Sequence, residues 1–416
     1  MPGAGAALVP VLGMVVVAGI PGAAGPVLAA PSPSGPDFDG NGQADLAIGA
    51  DGAVVVRYGG TGEVEILRAA DGAAASGFGS AVAAADFDAD GLADLAVGAP
   101  AEDSPGGAAD AGAVWVYHGT PDGLVDADGT PLHRVGLAQG RDGAPGAAER
   151  ADGFGSALTT GDLTGDGVAD LVVGSPGEAI GTEAEAGTAM AVPGRDAAGL
   201  DPAAAVAVHQ DTDGVVGVAE AGDRFGSAVA VGDLTGDGVG DLAVGASGEN
   251  HVGMVHVLPG TTTGPSAVGS TDASGNAVGV AASSWATLDP DRSGSDASFG
   301  AVLTAADVTA DGLADLVVGA PDARAGGKDF CGAITVLPGA AVGITPDTAQ
   351  VTSQSSTDVY GACEVGDRWG SALAVGDMTA DGRAEVVVGA PGEQVGEATG
   401  AGAYTVLATT SAGVSG

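Results

Sequence analysis

A nine-residue acidic loop recurs six times along this chain, and no other feature constrains the fold as strongly. The copies start at Asp37, Asp86, Asp162, Asp233, Asp307 and Asp377, with successive starts 49, 76, 71, 74 and 70 residues apart. The fullest copy, residues 86–94, reads D-F-D-A-D-G-L-A-D, with carboxylates at positions 1, 3, 5 and 9 and Gly91 at position 6. Each of the last five copies lies between two short apolar runs, as FGSAVAAA and LAVGAP flank the second. Loop and flanks repeat together, so the unit of this protein is a strand–loop–strand module, and several such modules must stack to bury a core.

The spacing of the acids points to a hard cation. Calcium takes six to eight oxygens at about 2.3–2.6 Å and tolerates irregular geometry. Side chains at alternate loop positions can converge on one point, and the position 6 glycine permits the sharp turn that brings them together. The loop is like the first half of an EF-hand loop, but its last acid stands at position 9 and no helical period flanks it. One copy alone reads equally well as an acidic Asp-Gly hairpin without metal. Turn formation alone would not keep an acid at positions 1 and 9 and Gly at 6 in all six.

The expected ligand sets follow position by position. They are Asp37, Asp39, Asn41, the Gln43 carbonyl and Asp45; then Asp86, Asp88, Asp90, the Leu92 carbonyl and Asp94. The third and fourth are Asp162, Thr164, Asp166, Val168 and Asp170, and Asp233, Thr235, Asp237, Val239 and Asp241. The fifth and sixth are Asp307, Thr309, Asp311, Leu313 and Asp315, and Asp377, Thr379, Asp381, Arg383 and Glu385. Loop 2 holds four carboxylates and the others three each, so loop 2 is expected to bind most tightly. Up to six calcium ions are expected, in a structural rather than catalytic role.

The flanks carry a family resemblance. An FG pair stands at Phe78-Gly79, Phe154-Gly155, Phe225-Gly226 and Phe299-Gly300, with Trp369-Gly370 as a variant. GAP follows the loop at Gly98-Ala99-Pro100, Gly319-Ala320-Pro321 and Gly389-Ala390-Pro391, with Gly174-Ser175-Pro176 as a variant. FG, acidic loop and GAP in this order resemble the FG-GAP repeat of integrin alpha-chain propellers and of secreted bacterial proteins similar to them. The resemblance covers residues 37–407. It implies an all-β propeller of four-stranded blades that binds calcium and acts in adhesion or extracellular partner recognition. Six loops favour six blades, and the resemblance allows a seventh without a loop.

The remaining sequence fits that frame. Third strands are expected at 113–117, 188–192, 254–258, 333–337 and 403–407. A recurring approach precedes three FG pairs, GAAERADG at 146–153, GVAEAGDR at 217–224 and GACEVGDR at 361–368. Residues 1–29 read as a secretory signal, with an apolar run at 8–20 and a small-residue cleavage site at Val27-Leu28-Ala29, although no Lys or Arg precedes Arg57. Residues 30–36 read as a Pro/Ser linker, 37–407 as the propeller and 408–416 as a frayed tail. Cys331 and Cys363 are expected to pair, as an even cysteine count in a secreted chain suggests.

The net charge of −42 argues against nucleic-acid and anionic-lipid partners, both of which select a positive face. The sequence holds no G-x-S-x-G elbow, H-E-x-x-H pair or P-loop, so no catalytic residue is assigned. His118 and His256, beside third strands, read as structural. The expected role is a secreted, monomeric binder of an extracellular protein or glycan. Its candidate surfaces are the connections 100–112, 120–150, 176–187 and 260–295. A carbohydrate-binding propeller with Trp285 as its exposed aromatic is the alternative, and a secreted hydrolase on the same scaffold is a more distant one.

Overall fold

The computed structural model describes residues 35–416 apart from 51, 70–75, 126–128, 266–278, 282–296, 342, 345–347, 380–382, 397, 411–412 and 416. The signal and most of the linker therefore lie outside the described residues, as do Trp285 and Asp381.

Among the described residues the chain forms six antiparallel sheets, each a simple meander of consecutive strands. Blade 1 has three strands, Leu46–Ala50, Ala53–Arg57 and Val64–Arg68. Blade 2 has Val82–Ala85, Asp94–Ala99, Ala113–Tyr117 and Arg134–Leu137. Blade 3 has Ala157–Gly161, Asp170–Ser175, Thr188–Val192 and Val206–Val208. Blade 4 has Phe225–Gly232, Asp241–Ala246, Met254–Leu258 and Gly279–Ala281. Blade 5 has Val302–Ala306, Asp315–Ala320, Ala333–Leu337 and Gln350–Thr352. Blade 6 has Ala372–Gly376, Glu385–Ala390, Ala403–Thr410 and Gly413–Ser415. The acidic loops of blades 2–6 join first to second strands. In blade 1 the loop leads directly into the strand that matches the second strands elsewhere.

Two expectations need correction. The tail is not frayed: the third strand of blade 6 runs on to Thr410 and turns back, so that Ala408, Thr409 and Thr410 pair with Ser415, Val414 and Gly413. Val414 is buried there, and the Gln350 side chain of blade 5 bonds its backbone N–H at 2.8 Å and its carbonyl at 2.9 Å. An apolar anchor and a paired backbone outweigh the weak strand propensity of a Gly- and Ser-rich end. The apolar runs that begin at FG, read as the first strands of the modules, are also not strand from their first residue except in blade 4. In blade 2 the strand begins at Val82, and residues 78–81 form the turn that enters it.

Packing between neighbours supplies the core. Phe38, Val54, Phe78, Leu95 and Tyr117 form one buried cluster between blades 1 and 2. Phe154, Leu171 and Met190 join Phe87 and Val114 between blades 2 and 3. Similar clusters lie between each later pair, the last built on Trp369, Ile334 and Leu407. Each fully buried FG phenylalanine contributes about 2–3 kcal/mol of transfer free energy. The motif glycines explain how blades come so close. A Cβ on Gly245, the first residue of the GAP-type turn of blade 4, would be driven into the carbonyl of Gly300, the FG glycine of blade 5. The same clash would arise between Gly98 and Gly155.

Candidate metal centres

Every fully described loop is held by the same hydrogen bonds. The position 1 carboxylate accepts the N–H groups of positions 5 and 6: in loop 2, Asp90 N–H to Asp86 Oδ1 at 3.2 Å and Gly91 N–H to Oδ2 at 2.8 Å. The position 5 side chain accepts from position 7, as Leu92 N–H does to Asp90 Oδ1 at 2.8 Å. Position 4 adopts a left-handed backbone, at Gly40, Gly165 and Gly236 but also at Ala89 (φ 56°) and Ala310 (φ 57°). Two alanines tolerating that region show that the loop fold, not the residue, sets the conformation.

The position 9 acid has a second task that the spacing alone does not reveal. Asp241 Oδ2 accepts the N–H groups of Leu234 at 2.9 Å and Thr235 at 3.0 Å, while Oδ1 accepts Gly260 N–H at 3.2 Å. Asp45, Asp94, Asp170 and Asp315 make the equivalent bonds to Gly59, Gly119, Gly194 and Gly339. This buried carboxylate clamps the loop to the exit of the third strand. Burial pushes Asp45, Asp170 and Asp241 up to about 6 despite those N–H donors. In Glu385 the longer side chain reaches the same donors, Met378 N–H at 2.8 Å and Thr379 N–H at 3.2 Å.

The loops also rivet neighbouring blades. The Asp233 carbonyl accepts Ala314 N–H of blade 5 at 3.0 Å, and the Leu234 carbonyl accepts Ala340 N–H at 3.0 Å. Loops 1 and 3 hold blades 2 and 4 in the same way, through the carbonyls of Asp37 and Asp162. The position 2 side chains Phe38, Phe87, Leu163, Leu234 and Val308 are fully buried beneath the loops. Any cation that stiffens a loop therefore stiffens a blade junction.

Carboxylate oxygens of Asp37, Asp39 and Asp45 lie within 4.8 Å of one another, and so do those of Asp86, Asp88 and Asp90. Burial and the charges of Asp94 and Asp90 raise the pKa of Asp88. Loops 3–6 substitute a Thr hydroxyl at position 3. Thr235 Oγ1 is buried with no hydrogen-bond partner among the described residues, and Thr309 Oγ1 lies 3.5 Å from Asp315 Oδ1. The converging oxygens of loops 1 and 2 and the orphaned hydroxyl of loop 4 fit a calcium ion, while in loop 3 Arg195 Nη1 lies 3.5 Å from Asp166 Oδ2. When bound, the ion would be held by the acids and hydroxyls of positions 1, 3 and 5 together with the position 9 acid.

The family follows from the chain's repeats themselves. The family model described as FG-GAP repeat matches residues 78–117, 154–201, 225–258, 299–337 and 369–407, and the one described as FG-GAP-like repeat matches 37–97. The chain belongs to the FG-GAP repeat family. That repeat is the blade of integrin alpha N-terminal propellers. Among curated proteins the chain is similar to the phosphatidylinositol-glycan-specific phospholipases D of Bos taurus, 36% identical over 42% of this chain, and Homo sapiens, 35% identical over 42%. It spans about a fifth of their length, 19% in both. Among solved structures it is similar to one titled "Structure of Dos1 propeller", with a TM-score of 0.39, 11% identity, and coverage of 90% of this chain and 81% of that one. So distant a likeness adds nothing to what the FG-GAP repeats establish.

Against this family frame His118 stands out. Its Nδ1 lies 3.3 Å from Asp94 Oδ1 and 3.8 Å from Asp88 Oδ2, so it borders loop 2. Asp88, Asp94 and His118 form a metal-sized group. The Asp94 carboxylate raises the His118 pKa against the opposing effect of burial. The signal lay in comparing repeats, because Pro193, Pro259 and Pro338 precede the glycines equivalent to Gly119. His256 does behave as a core residue: burial lowers its pKa to about 4, and its ring packs at a tilt against Phe225, centroids 5.1 Å apart. Trp369 is fully buried, with Nε1 donating to Thr405 Oγ1 at 3.2 Å. Cys331 and Cys363 form a disulfide.

Proposed function

We propose that this chain is a calcium-stabilised extracellular FG-GAP propeller that presents its connecting loops to a protein or glycan partner. One observation carries the reading: the acids of loops 1 and 2 converge in segments whose backbone carbonyls hold the next blade. Calcium bound there couples ion occupancy to the rigidity of the whole recognition surface. The disulfide fits an oxidising compartment. No helix among the described residues is long and apolar enough to cross a membrane.

The test is a screen of extracellular-protein and glycan arrays with the purified chain, in millimolar calcium and in EDTA. Binding that needs calcium supports the reading. Binding that is equally strong in EDTA, with no change in melting temperature, would overturn it. The phospholipase relatives supply a second outcome: turnover of a phosphatidylinositol-glycan substrate by the chain alone would replace the binder by an enzyme.

A further inference from the structure

The recurring approach to the FG turns places a second acidic constellation at the opposite end of the blades from the loops. Three copies share one spacing: Gln139, Glu149, Asp152 and Glu178; Gln210, Glu220, Asp223 and Glu249; Gln354, Glu364, Asp367 and Glu393. In each, the Asp stands two residues before the FG aromatic and the last Glu just after the GAP-type turn. The Gln comes from the end of the preceding blade.

The local structure is the same three times. The Asp accepts the backbone N–H of the Glu three residues before it, at 2.7 Å for Glu220 on Asp223 and 2.6 Å for Glu364 on Asp367. The Gln amide donates across the blade junction to the last Glu, at 2.6 Å from Gln210 to Glu249 and 2.7 Å from Gln354 to Glu393. Asp152, Asp223 and Asp367 are at most 3% exposed, and Glu249 is 5% exposed. Oxygens of Glu220, Asp223 and Glu249 lie within 4.8 Å of one another. Burial together with neighbouring acids pushes both Asp223 and Glu178 up to about 7.

An independent observation points to a ligand. Gln139, Gln210 and Gln354 are 3%, 2% and 5% exposed, and the Oε1 atom of each is buried without a hydrogen-bond partner among the described residues. An orphaned buried amide oxygen is costly, and three repeats carry the same one. Each Gln is seated against a left-handed glycine, Gly146, Gly217 or Gly361, where a Cβ would crowd its amide. A proton shared between the acids would relieve their charge but leave this oxygen bare. A hard cation satisfies both.

Blades 5 and 2 do not carry the intact pair of acids. In blade 5 Ala297 and Ala323 stand at the Asp and Glu positions, both buried. In blade 2 Ser76 stands at the Asp position, and Glu102 instead accepts Trp115 Nε1 at 2.8 Å.

We propose that the Gln–Asp–Glu clusters at the entrances of blades 3, 4 and 6 are a second class of divalent-cation site. Each would be filled by calcium through the Gln Oε1, the buried Asp and the last Glu, with the outer Glu closing the site. The ion pins the segment linking two blades to the GAP-type turn, so calcium fastens the propeller at both ends.

Crystals of the full chain grown in calcium test this site by site, whatever the acidic loops do. The expected result is a peak about 2.3–2.6 Å from Gln210 Oε1, Asp223 and Glu249, the calcium–oxygen range. A peak at water hydrogen-bond distance, about 2.7–3.0 Å, or no peak at all, overturns the proposal. The double variant Asp223→Ala, Glu249→Ala copies the pair that blade 5 already carries and should fold. By equilibrium dialysis it should bind one ion fewer than the unaltered chain. Its melting temperature should fall further in calcium than in EDTA. Unchanged stoichiometry with an equal melting shift in both conditions would refute the site and leave the loop cages untouched.

Discussion

Replacing Asp241 and Asp237 separately by Ala should separate the two tasks within a single loop. Asp241 is fully buried and accepts three backbone N–H groups, from Leu234, Thr235 and Gly260. Its loss strands those donors whether or not calcium is present. At about 1–3 kcal/mol per buried unsatisfied group, Asp241→Ala should cost at least about 3 kcal/mol already in EDTA, and the loss of a ligand adds to that in calcium. Asp237 is exposed and accepts one N–H, from Val239 at 2.9 Å. Its loss in EDTA should cost roughly 1 kcal/mol or less, the net worth of one exposed hydrogen bond. In calcium it should also forfeit the linkage term, about 2.7 kcal/mol at one hundred times the dissociation constant. Urea denaturation of both variants and the unaltered chain, each in EDTA and in calcium, reads these four differences. Equal losses for the two variants in EDTA would refute the division between clamp and ligand.

Gly245→Ala should destabilise the chain by several kcal/mol in calcium and EDTA alike, on the order of 3 or more for a backbone overlap with no room to relax, and thermal melts would show it. In EDTA, stability should fall as pH rises from about 4 to above 6. Asp45, Asp170 and Asp241 have folded pKa values raised above their unfolded ones, so the folded state holds more protons in that window, and their ionisation at higher pH opposes folding. Saturating calcium should flatten or reverse that slope, as melts across the range would reveal. Breaking the Cys331–Cys363 bridge by double Ser substitution should cost about 3.7 kcal/mol in the chain-entropy account, and a denaturant midpoint unchanged from the oxidised chain would contradict it.

The propeller was legible in the sequence because its determinants are local and repeated. Asp-x-Asp-like loops, FG and GAP each act within a few residues, and the third strands at 113–117 and 254–258 lie where their apolar runs stand. The clamp role of position 9 was hidden because Gly260, one of the groups that Asp241 holds, comes nineteen residues later. His118 looked like an ordinary strand-end residue until the fold turned it toward loop 2. The Gln210–Glu249 contact spans 39 residues and two blades, so no short window contains it. The closing strand at Gly413–Ser415 was missed because pairing and the burial of Val414, not propensity, hold it.

The most direct measurement of the central claim is a calorimetric calcium titration of the EDTA-stripped chain, with thermal melts at each step. The account predicts several bound ions, a large rise in melting temperature on loading, and full reversal by EDTA. Absence of heat and an unchanged melt would make the six loops plain acidic turns and contradict the claim that calcium holds the blades together.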